Sequence, residues 1–312
     1  MSKPLVTILI PCYNCAEWVG PAIQSALNQT WPQKEVIVID DGSRDESWDV
    51  IKSFGSAIRA ERQNNQGTLR TRNQLLSLSN GEWIQYLDAD DELAADKIEL
   101  QMRHRDSAEV LYGSMRLEWF EGKQLVRKSE RLAEAGTDAW AKWFRWEYPN
   151  PSACLFRNDL LKQVNGWDPG YNLCEDYALL KNIMLAGARI EATPDAWSTY
   201  RQWSRNQLVN KYSAKLADDR FRLMLEVVKE LKARRELTDE RSRVFQIYGF
   251  QVIRNLYSMS PEDGVRALSE LQRFLRPFAL RADSSPFAYR VLYRLVGFVA
   301  AERVVRWRRL IA

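Results

Sequence analysis

The sequence predicts an α/β fold, in which a mostly parallel sheet is flanked by helices and followed by a C-terminal region that is all helical. Strand-like apolar runs alternate with helical patterns from Leu5 to Leu87, which is typical of parallel strands joined by helical crossovers. From about residue 214 the spacing of apolar residues is helical throughout. These observations predict an α/β domain at residues 1–210 and a helical region at residues 211–312.

The α/β domain is expected to begin with four short strands separated by three helices. We place the strands at residues 5–10, 35–39, 57–62 and 82–87. The helices are predicted at residues 17–29, 46–54 and 69–78, with Asp45 as the cap of the second. A further strand is predicted at residues 110–120, and further helices at residues 97–105, 158–164 and 177–185. The C-terminal helices are predicted at residues 216–235, 241–257, 261–275 and 286–310.

The composition is that of a globular protein, because 46% of the 312 residues are apolar and no low-complexity tract occurs. No run approaches the roughly 18 apolar residues of a membrane-spanning helix, so we expect a cytoplasmic protein. The cysteines are expected to be reduced thiols. Cys12 and Cys15 spell C-x-x-C, but no second pair exists to complete a zinc site.

The net charge of +4 is concentrated at the C-terminal end. Residues 281–312 hold seven arginines against Asp283 and Glu302, a local net charge of +5, so the rest of the chain is close to neutral. This distribution argues against a nucleic-acid partner and for contact with an anionic surface. The last predicted helix is basic and amphipathic, so it either packs on the α/β domain or lies at the inner face of the plasma membrane.

Two acidic clusters each follow an apolar strand. Residues 40–43 (DDGS) follow the run at 36–39, and residues 88–91 (DADD) follow the run at 83–87. Alone, either cluster is also what a turn with a helix cap contains. Like charges this close repel each other, so the pair at two strand ends favours a divalent metal and a phosphate-bearing ligand.

Several motifs occur in the order and spacing of one enzyme family. They are residues 6–14 (VTILIPCYN), 40–43 (DDGS), 65–67 (NQG), 72–73 (RN), 87–91 (LDADD), 165–168 (NGWD), 175–176 (ED) and 200–201 (YR). Over roughly residues 4–205 the chain resembles family 2 glycosyltransferases of the GT-A fold. The resemblance implies a Rossmann-like nucleotide-binding half and an inverting enzyme. Since the Gln-x-x-Arg-Trp motif of processive synthases is absent, it implies the transfer of a single sugar.

The resemblance also implies which residues hold the donor. Pro11 and Tyr13 are expected around the nucleobase. Asp41 resembles the carboxylate that accepts the imide N–H of uracil, a donor that cytosine lacks. Arg72 is expected to pair with phosphate or pyranose hydroxyls, and Asp88 to bind the ribose or a sugar hydroxyl.

Two further carboxylates match the reactive positions of the family. Asp90 looks like the ligand of a divalent metal, Mn²⁺ or Mg²⁺, that bridges to the donor diphosphate. Asp176 matches the base that takes the proton of the acceptor hydroxyl, and its place at a helix start is expected to favour the ionised form and to lower its basicity. Supporting roles are expected for Asp40, Asn73, Asp91, Glu175, Arg201 and Arg205.

The chain departs from the family pattern after the Tyr-Arg pair, where many relatives carry a metal-binding histidine and this chain has Gln202 and Trp203. The only histidine, His104, is expected on the surface. Metal would then be held by Asp90, donor oxygens and water, which predicts loose binding that requires nucleotide. Arg201 and Arg205 are expected to contact the diphosphate instead.

The predicted function is therefore transfer of one sugar from a UDP-sugar to a hydroxyl of a glycan or lipid-linked glycan, as in cell-surface polysaccharide assembly. Two alternatives stay open. One is a sugar nucleotidyltransferase, although the Gly-rich phosphate loop of that class is absent. The other is a non-catalytic carbohydrate-binding or scaffolding protein on the same fold. The aromatic stretch at residues 140–148 is either core or a wall for acceptor sugars.

Overall fold

A computed structural model describes residues 3–171, 173–203, 213–275, 280 and 285–311. The chain divides into two units. The first combines Met1–Thr137 with Tyr148–Gln207, and the second combines Asp138–Glu147 with Leu208–Ala312. Residues 138–147 thus group with the C-terminal helices, although about 60 residues of sequence separate the two.

The first unit begins with four parallel strands in the order β3-β2-β1-β4. β1 and β2 are buried along almost their whole length, as expected for parallel strands that helices cover on both faces. The strands are β1 (Val6–Cys12), β2 (Lys34–Asp40), β3 (Arg59–Arg62) and β4 (Trp83–Tyr86). The helices between them are α1 (Val19–Leu27), α2 (Ser47–Lys52) and α3 (Thr68–Leu78). Each lies where the sequence predicts one.

The second half of the sheet is mixed. β8 pairs antiparallel with both β4 and β6, while β6 and β9 run parallel, so half of the strand pairings in the described part of the chain are antiparallel. These strands are β5 (Glu92–Leu93), β6 (Val110–Glu121), β7 (Gln124–Arg131), β8 (Cys154–Arg157) and β9 (Ile190–Trp203). The helices along this stretch of the chain are α4 (Lys97–Met102), α5 (Ala139–Phe144), α6 (Asn158–Gln163) and α7 (Glu175–Leu185), of which α5 belongs to the second unit. The sequence predicts β6 and three of these helices, but not β5, β7, β8, β9 or α5.

The strand order brings the two acidic clusters to one edge of the sheet. β1 lies between β2 and β4. The Asp41 N–H donates to the Cys12 carbonyl (2.8 Å), and the Leu87 N–H donates to the Leu9 carbonyl (2.9 Å). Both clusters therefore leave the sheet beside the carboxyl end of β1, which is where open α/β sheets bind ligands.

The second unit is helical. Besides α5 it contains α8 (Ser213–Ala233), α9 (Asp239–Met259), α10 (Pro261–Phe274) and α11 (Phe287–Ile311). Trp143 and Phe144 of α5 are fully buried, and the Phe144 ring lies 5.6 Å from that of Phe245 on α9. Asp138 caps α5 through the Ala141 N–H and pairs with Arg241 on α9 at 2.8 Å. Of the two interpretations of the aromatic stretch, the structure supports core for α5.

The last helix differs from the continuous amphipathic helix that the sequence predicts. Gly297 has φ 76° and ψ 178°, so α11 consists of two helical segments that meet at this residue. An arrangement of side chains plotted along one unbroken helix is therefore wrong across Gly297. Phe298 packs on α9, with ring centroids 5.0 Å from Tyr257 and 6.0 Å from Phe250. Within the described ranges, no helix is both long and apolar enough to cross a membrane.

Candidate active site

Three acidic side chains of this site lie around one buried arginine. Arg72 is 4% exposed, and its Nη2 donates to Asp88 Oδ1 at 2.6 Å. Its Nη1 lies 3.8 Å from Glu175 Oε1 and 3.8 Å from Asp176 Oδ1. Burial alone would lower the pKa of Arg72, but Asp88, then Asp176 and Glu175, shift that pKa upward. The guanidinium therefore stays charged and joins a donor-binding candidate to the candidate base.

Arg72 is held in place by a tryptophan behind it. The guanidinium lies 4.4 Å from the ring centroid of Trp167, which is 1% exposed. The neighbouring Asn73 donates from Nδ2 to the Trp167 carbonyl (2.9 Å) and accepts the Trp167 N–H on Oδ1 (2.8 Å). A Cβ on Gly166, which has φ 64°, would lie 2.4 Å from Asn73 Oδ1. Glycine therefore permits the close approach that this pair of hydrogen bonds needs.

Glu175 and Asp176 form the first turn of α7. Burial, followed by the neighbouring charge of Glu175, raises the pKa of Asp176 to about 8, although Arg72 opposes the shift. Burial likewise raises the pKa of Glu175. The net shift of the Asp176 pKa is thus opposite to the one expected from the helix start, because burial and the charge of Glu175 disfavour the ionised carboxylate.

The loop after β4 carries the second acidic cluster and is fixed by Asp91. This side chain is fully buried and accepts hydrogen bonds from Ser152 Oγ (2.8 Å), Asn150 Nδ2 (3.0 Å) and the Arg201 N–H (3.1 Å). Ser152 Oγ also accepts the Asp88 N–H at 3.3 Å. Burial, then Asp90 and Asp88, raise the pKa of Asp91. Asp91 therefore stabilises the loop that carries Asp88 and Asp90.

Arg201, which lies on β9, also contacts this loop. Its Nη1 donates to the Asp90 carbonyl (3.1 Å), and its Nη2 pairs with Glu92 at 2.6 Å. Nε lies 3.7 Å from Glu118, and the guanidinium lies 4.8 Å from the Trp18 ring centroid. These contacts give Arg201 a structural role, so its predicted contact with the diphosphate stays a prediction. Arg205 lies outside the described residues.

Asp90 is the residue expected to hold a metal. Burial, followed by the charge of Asp88, raises its pKa to about 6. A carboxylate that is crowded by another carboxylate is one that a cation would stabilise. No group of three or more His, Cys, Asp or Glu side chains suited to a metal occurs in the part of the chain that the structure describes. One carboxylate with phosphate oxygens and water remains a donor set that fits Mg²⁺.

The first acidic cluster is tied to the loop before α3. Asp41 is 3% exposed and accepts from Gln63 Nε2 (2.7 Å), the Gln66 N–H (2.8 Å) and the Gly67 N–H (2.8 Å). Of the hydrogen bonds that described residues donate to this carboxylate, the Gly67 bond goes to Oδ2. A carboxylate oxygen accepts two hydrogen bonds, so Oδ2 has a second acceptor position that no described residue fills, and the predicted contact with uracil would use it.

Other predicted donor residues lie around the same strand ends. Asp40 is fully buried and pairs with Arg62 Nε at 2.9 Å, which gives it a structural partner. Tyr13 is 47% exposed, as a ring that stacks on a base would be, and Pro11 is half-buried at the end of β1. The histidine lies at the surface as expected, since His104 is exposed and its Nδ1 lies 2.8 Å from Glu191.

The sequence analysis does not identify the buried side chains that lie next to the second acidic cluster and the strand before it. Asn150 and Ser152 belong to the turn that precedes β8, about 60 residues after the loop, and no motif marks them. Lys97 is fully buried and donates to Gln85 Oε1 and to the Cys154 carbonyl. Burial lowers the pKa of this lysine to about 7. A charged residue at a helix start looks like any surface residue in the sequence, so no local signal identifies it.

The structure has an α/β fold with carboxylates around a buried arginine at the carboxyl ends of the strands, where open α/β sheets bind ligands. The comparisons with known proteins identify the family. The family model for "Glycosyl transferase family 2" matches residues 7–162. The chain belongs to this family.

All four cysteines are free thiols, as the sequence predicts.

Several curated relatives match about a third of this chain. A beta-1,3-glucosyltransferase of Escherichia coli, WfaP, named for UDP-Glc and alpha-D-GlcNAc-diphosphoundecaprenol, is 34% identical over 110 residues, which are 35% of this chain and 44% of that protein. The first relatives are thus matched over less than half of their own length. The succinoglycan biosynthesis protein ExoO of Rhizobium meliloti is 27% identical over 95% of this chain and 88% of its own.

Solved structures share the fold. TarS 1-349 of S. aureus in complex with UDP has a TM-score of 0.62 at 15% identity, covering 97% of this chain and 91% of TarS 1-349. The mannosyltransferase PcManGT of Pyrobaculum calidifontis, solved with GDP-Man and Mn²⁺, has a TM-score of 0.54 at 16% identity, covering 95% and 87%. The GT-A fold with a helical C-terminal region is therefore confirmed.

Proposed function

We propose that this protein is an inverting, metal-dependent glycosyltransferase that moves one sugar from a UDP-sugar to a hydroxyl of a glycan or lipid-linked glycan. The observation that carries the proposal is the Arg72 cluster. It places Asp176, a carboxylate whose pKa is raised to about 8, on the same guanidinium as Asp88. A base with a pKa near the working pH is the most effective kind.

Asp176 acts as the base in a single displacement. The acceptor oxygen attacks the anomeric carbon while the bond from that carbon to the diphosphate oxygen breaks on the opposite face. The hydroxyl proton passes to the Asp176 carboxylate, which later releases it to solvent. Because attack and departure occur on opposite faces, the configuration at the anomeric carbon inverts.

The donor is held on the other side of the cluster. Asp41 reads the uracil through its open acceptor position on Oδ2, Tyr13 stacks on the base, and Asp88 binds a sugar hydroxyl while Arg72 fixes its carboxylate. Asp90 would hold Mn²⁺ or Mg²⁺, and the metal would supply charge neutralisation for the leaving group. The UDP and UDP-GlcNAc complexes of TarS and the UDP-Glc in the name of WfaP support a UDP-sugar.

The names of two relatives support a glycan or lipid-linked acceptor. The exposed side chains of α11 support contact with a membrane. WfaP is named for a diphosphoundecaprenol acceptor and ExoO for succinoglycan biosynthesis. In the second unit, Phe287, Leu295 and Trp307 expose 73%, 76% and 64% of their surface on a segment rich in arginine. Exposed apolar rings with flanking cations fit the headgroup region of an anionic membrane. We therefore propose that the enzyme works at the cytoplasmic membrane face.

Release of UDP from a panel of UDP-sugars tests the function. We expect turnover by the wild type and a loss of 10²- to 10⁴-fold on Asp176→Asn, the usual contribution of a general base, with UDP affinity retained. Asp159→Asn is a matched control, because this carboxylate pairs with Arg157 at the surface. Release of pyrophosphate from a nucleoside triphosphate would favour a nucleotidyltransferase. UDP binding with no turnover of any sugar would favour the scaffold alternative.

A further inference from the structure

The oxygen atoms of Asp176 have different surroundings. Oδ1 is buried, lies 3.8 Å from Arg72 Nη1 and makes no hydrogen bond with any described residue. The side chain as a whole is nevertheless 32% exposed, so Oδ2 is the oxygen that solvent reaches. Arg72 Nη1 is likewise buried and without a hydrogen-bond partner in the described part of the chain.

Arg72 has little freedom to turn away from this carboxylate. Nη2 is bound to Asp88, and one face of the guanidinium lies on the buried ring of Trp167. The planar fork of arginine fixes Nη1 once Nη2 and the plane are fixed. Nη1 therefore points at the space between Glu175 and Asp176, at the same distance from both.

We propose that Arg72 is the positioning residue of the base: its charge attracts Asp176 Oδ1 across 3.8 Å, so that Oδ2 meets the acceptor hydroxyl, while the same guanidinium is hydrogen-bonded to Asp88 on the donor side. This inference rests on the proposed role of Asp176 and extends it, because it makes one side chain responsible for aligning both substrates. It also predicts that Arg72 controls how readily Asp176 ionises.

The charges around Asp176 support this control. Glu175 and Asp88 disfavour the ionised carboxylate, and Arg72 is the cation that opposes them. Cys154 and Tyr200 also face the group, and burial raises the pKa of both, so they are neutral near pH 7. Removing the arginine charge therefore leaves Asp176 among acids and neutral groups. An opposite charge at this distance typically lowers a carboxyl pKa by about 1–3 units.

The test is a carbon-13 NMR titration of aspartate carboxyls in the full chain, with Asp176→Asn used to assign the signal. We expect Arg72→Gln to raise the titration midpoint of Asp176 by about one unit or more. Arg72→Lys, which keeps the charge, is expected to return the midpoint towards that of the wild type. Arg189→Gln is the matched control, because this exposed arginine pairs with Glu109 away from the site. A midpoint that is the same in Arg72→Gln and the wild type would overturn the proposal.

A second measurement applies if Arg72→Gln does not fold. In a crystal structure of the wild type, we expect Asp176 Oδ1 to face Nη1 of Arg72 and Oδ2 to face solvent. A carboxylate turned away from Arg72 would refute the assignment. With UDP-glucose or UDP-N-acetylglucosamine as donor, Arg72→Lys should lower the turnover number more than the UDP affinity. Absence of turnover in the wild type would instead count against the proposed function, while the titration would still decide the role of Arg72.

Discussion

At the residue scale, the environment of Asp176 decides its chemistry. A first-turn aspartate is normally a good anion, because the helix dipole stabilises its charge. Here desolvation and Glu175 act in the opposite direction and raise the pKa to about 8. Only the ionised form can accept the acceptor proton, so the proposed reaction depends on pH through this residue.

We expect turnover to rise with pH between pH 6 and pH 9. Below the pKa the ionised fraction of Asp176 increases about tenfold per pH unit, and above it the rate should level off. The pH dependence of UDP release by the wild type measures this, with Glu109→Gln as a surface control. A rate that falls as pH rises through this range would exclude Asp176 as a base with a raised pKa.

The site residues could be placed from the sequence because they sit in short motifs at strand ends and helix starts. The pKa of Asp176 could not, since it depends on burial and on Arg72, which lies about 100 residues away. Asn150 and Ser152 were missed for a similar reason. They reach Asp91 only because β8 lies beside β4 in the sheet.

At the scale of elements, the contact of α3 with the loop at residues 165–167 holds Arg72 in place. Asn73→Ala removes both hydrogen bonds to the backbone of Trp167. We expect the free energy of unfolding to fall by about 1–3 kcal/mol, because two buried backbone groups lose their partners. Turnover should fall as well, because the ring beneath Arg72 loses its anchor.

Urea unfolding and UDP-sugar turnover of Asn73→Ala measure the two effects. Ser77→Ala, an exposed position on the same helix, serves as control. If neither the stability nor the turnover of Asn73→Ala changed, the hydrogen bonds between Asn73 and Trp167 would not be what keeps Arg72 in position.

α11 carries the second prediction at this scale. Phe287 and Leu295 lie on the same helical segment before Gly297 and are strongly exposed. We expect the wild type to float with vesicles that contain phosphatidylglycerol and not with vesicles of phosphatidylcholine alone. The double variant Phe287→Glu/Leu295→Glu should bind several-fold less, because it loses apolar contact and adds negative charge.

Met259→Glu is the control for this experiment, since Met259 is an exposed apolar residue at the end of α9. Point variants are preferable to truncation, because removal of α11 would uncover Phe250 and Tyr257. Equal flotation of the wild type and the double variant would remove the membrane interpretation.

At the scale of the whole molecule, the sequence predicts the parallel half of the sheet well and the mixed half poorly. β1 to β4 alternate with helices, and this local pattern suffices to locate them along the chain and to predict that they run parallel, while their order in the sheet comes from the structure. β9 pairs with β6 over a long sequence separation, which no local pattern encodes. β7 instead forms a hairpin with β6 through Gly122 and Lys123, and the sequence analysis does not identify it. The break at Gly297 was missed because a single glycine within a helical pattern costs only about 1 kcal/mol and is usually tolerated.

The proposed donor site is tested most directly by a calorimetric titration with UDP, with and without Mn²⁺, of the wild type and of Asp90→Ala. We predict that UDP binds the wild type, that Mn²⁺ strengthens this binding at least tenfold, and that Asp90→Ala removes the effect of the metal. Mn²⁺ alone should bind weakly, since Asp90 is the one proposed protein ligand. Failure of the wild type to bind UDP, GDP or dTDP under any of these conditions would contradict the proposed nucleotide-sugar chemistry.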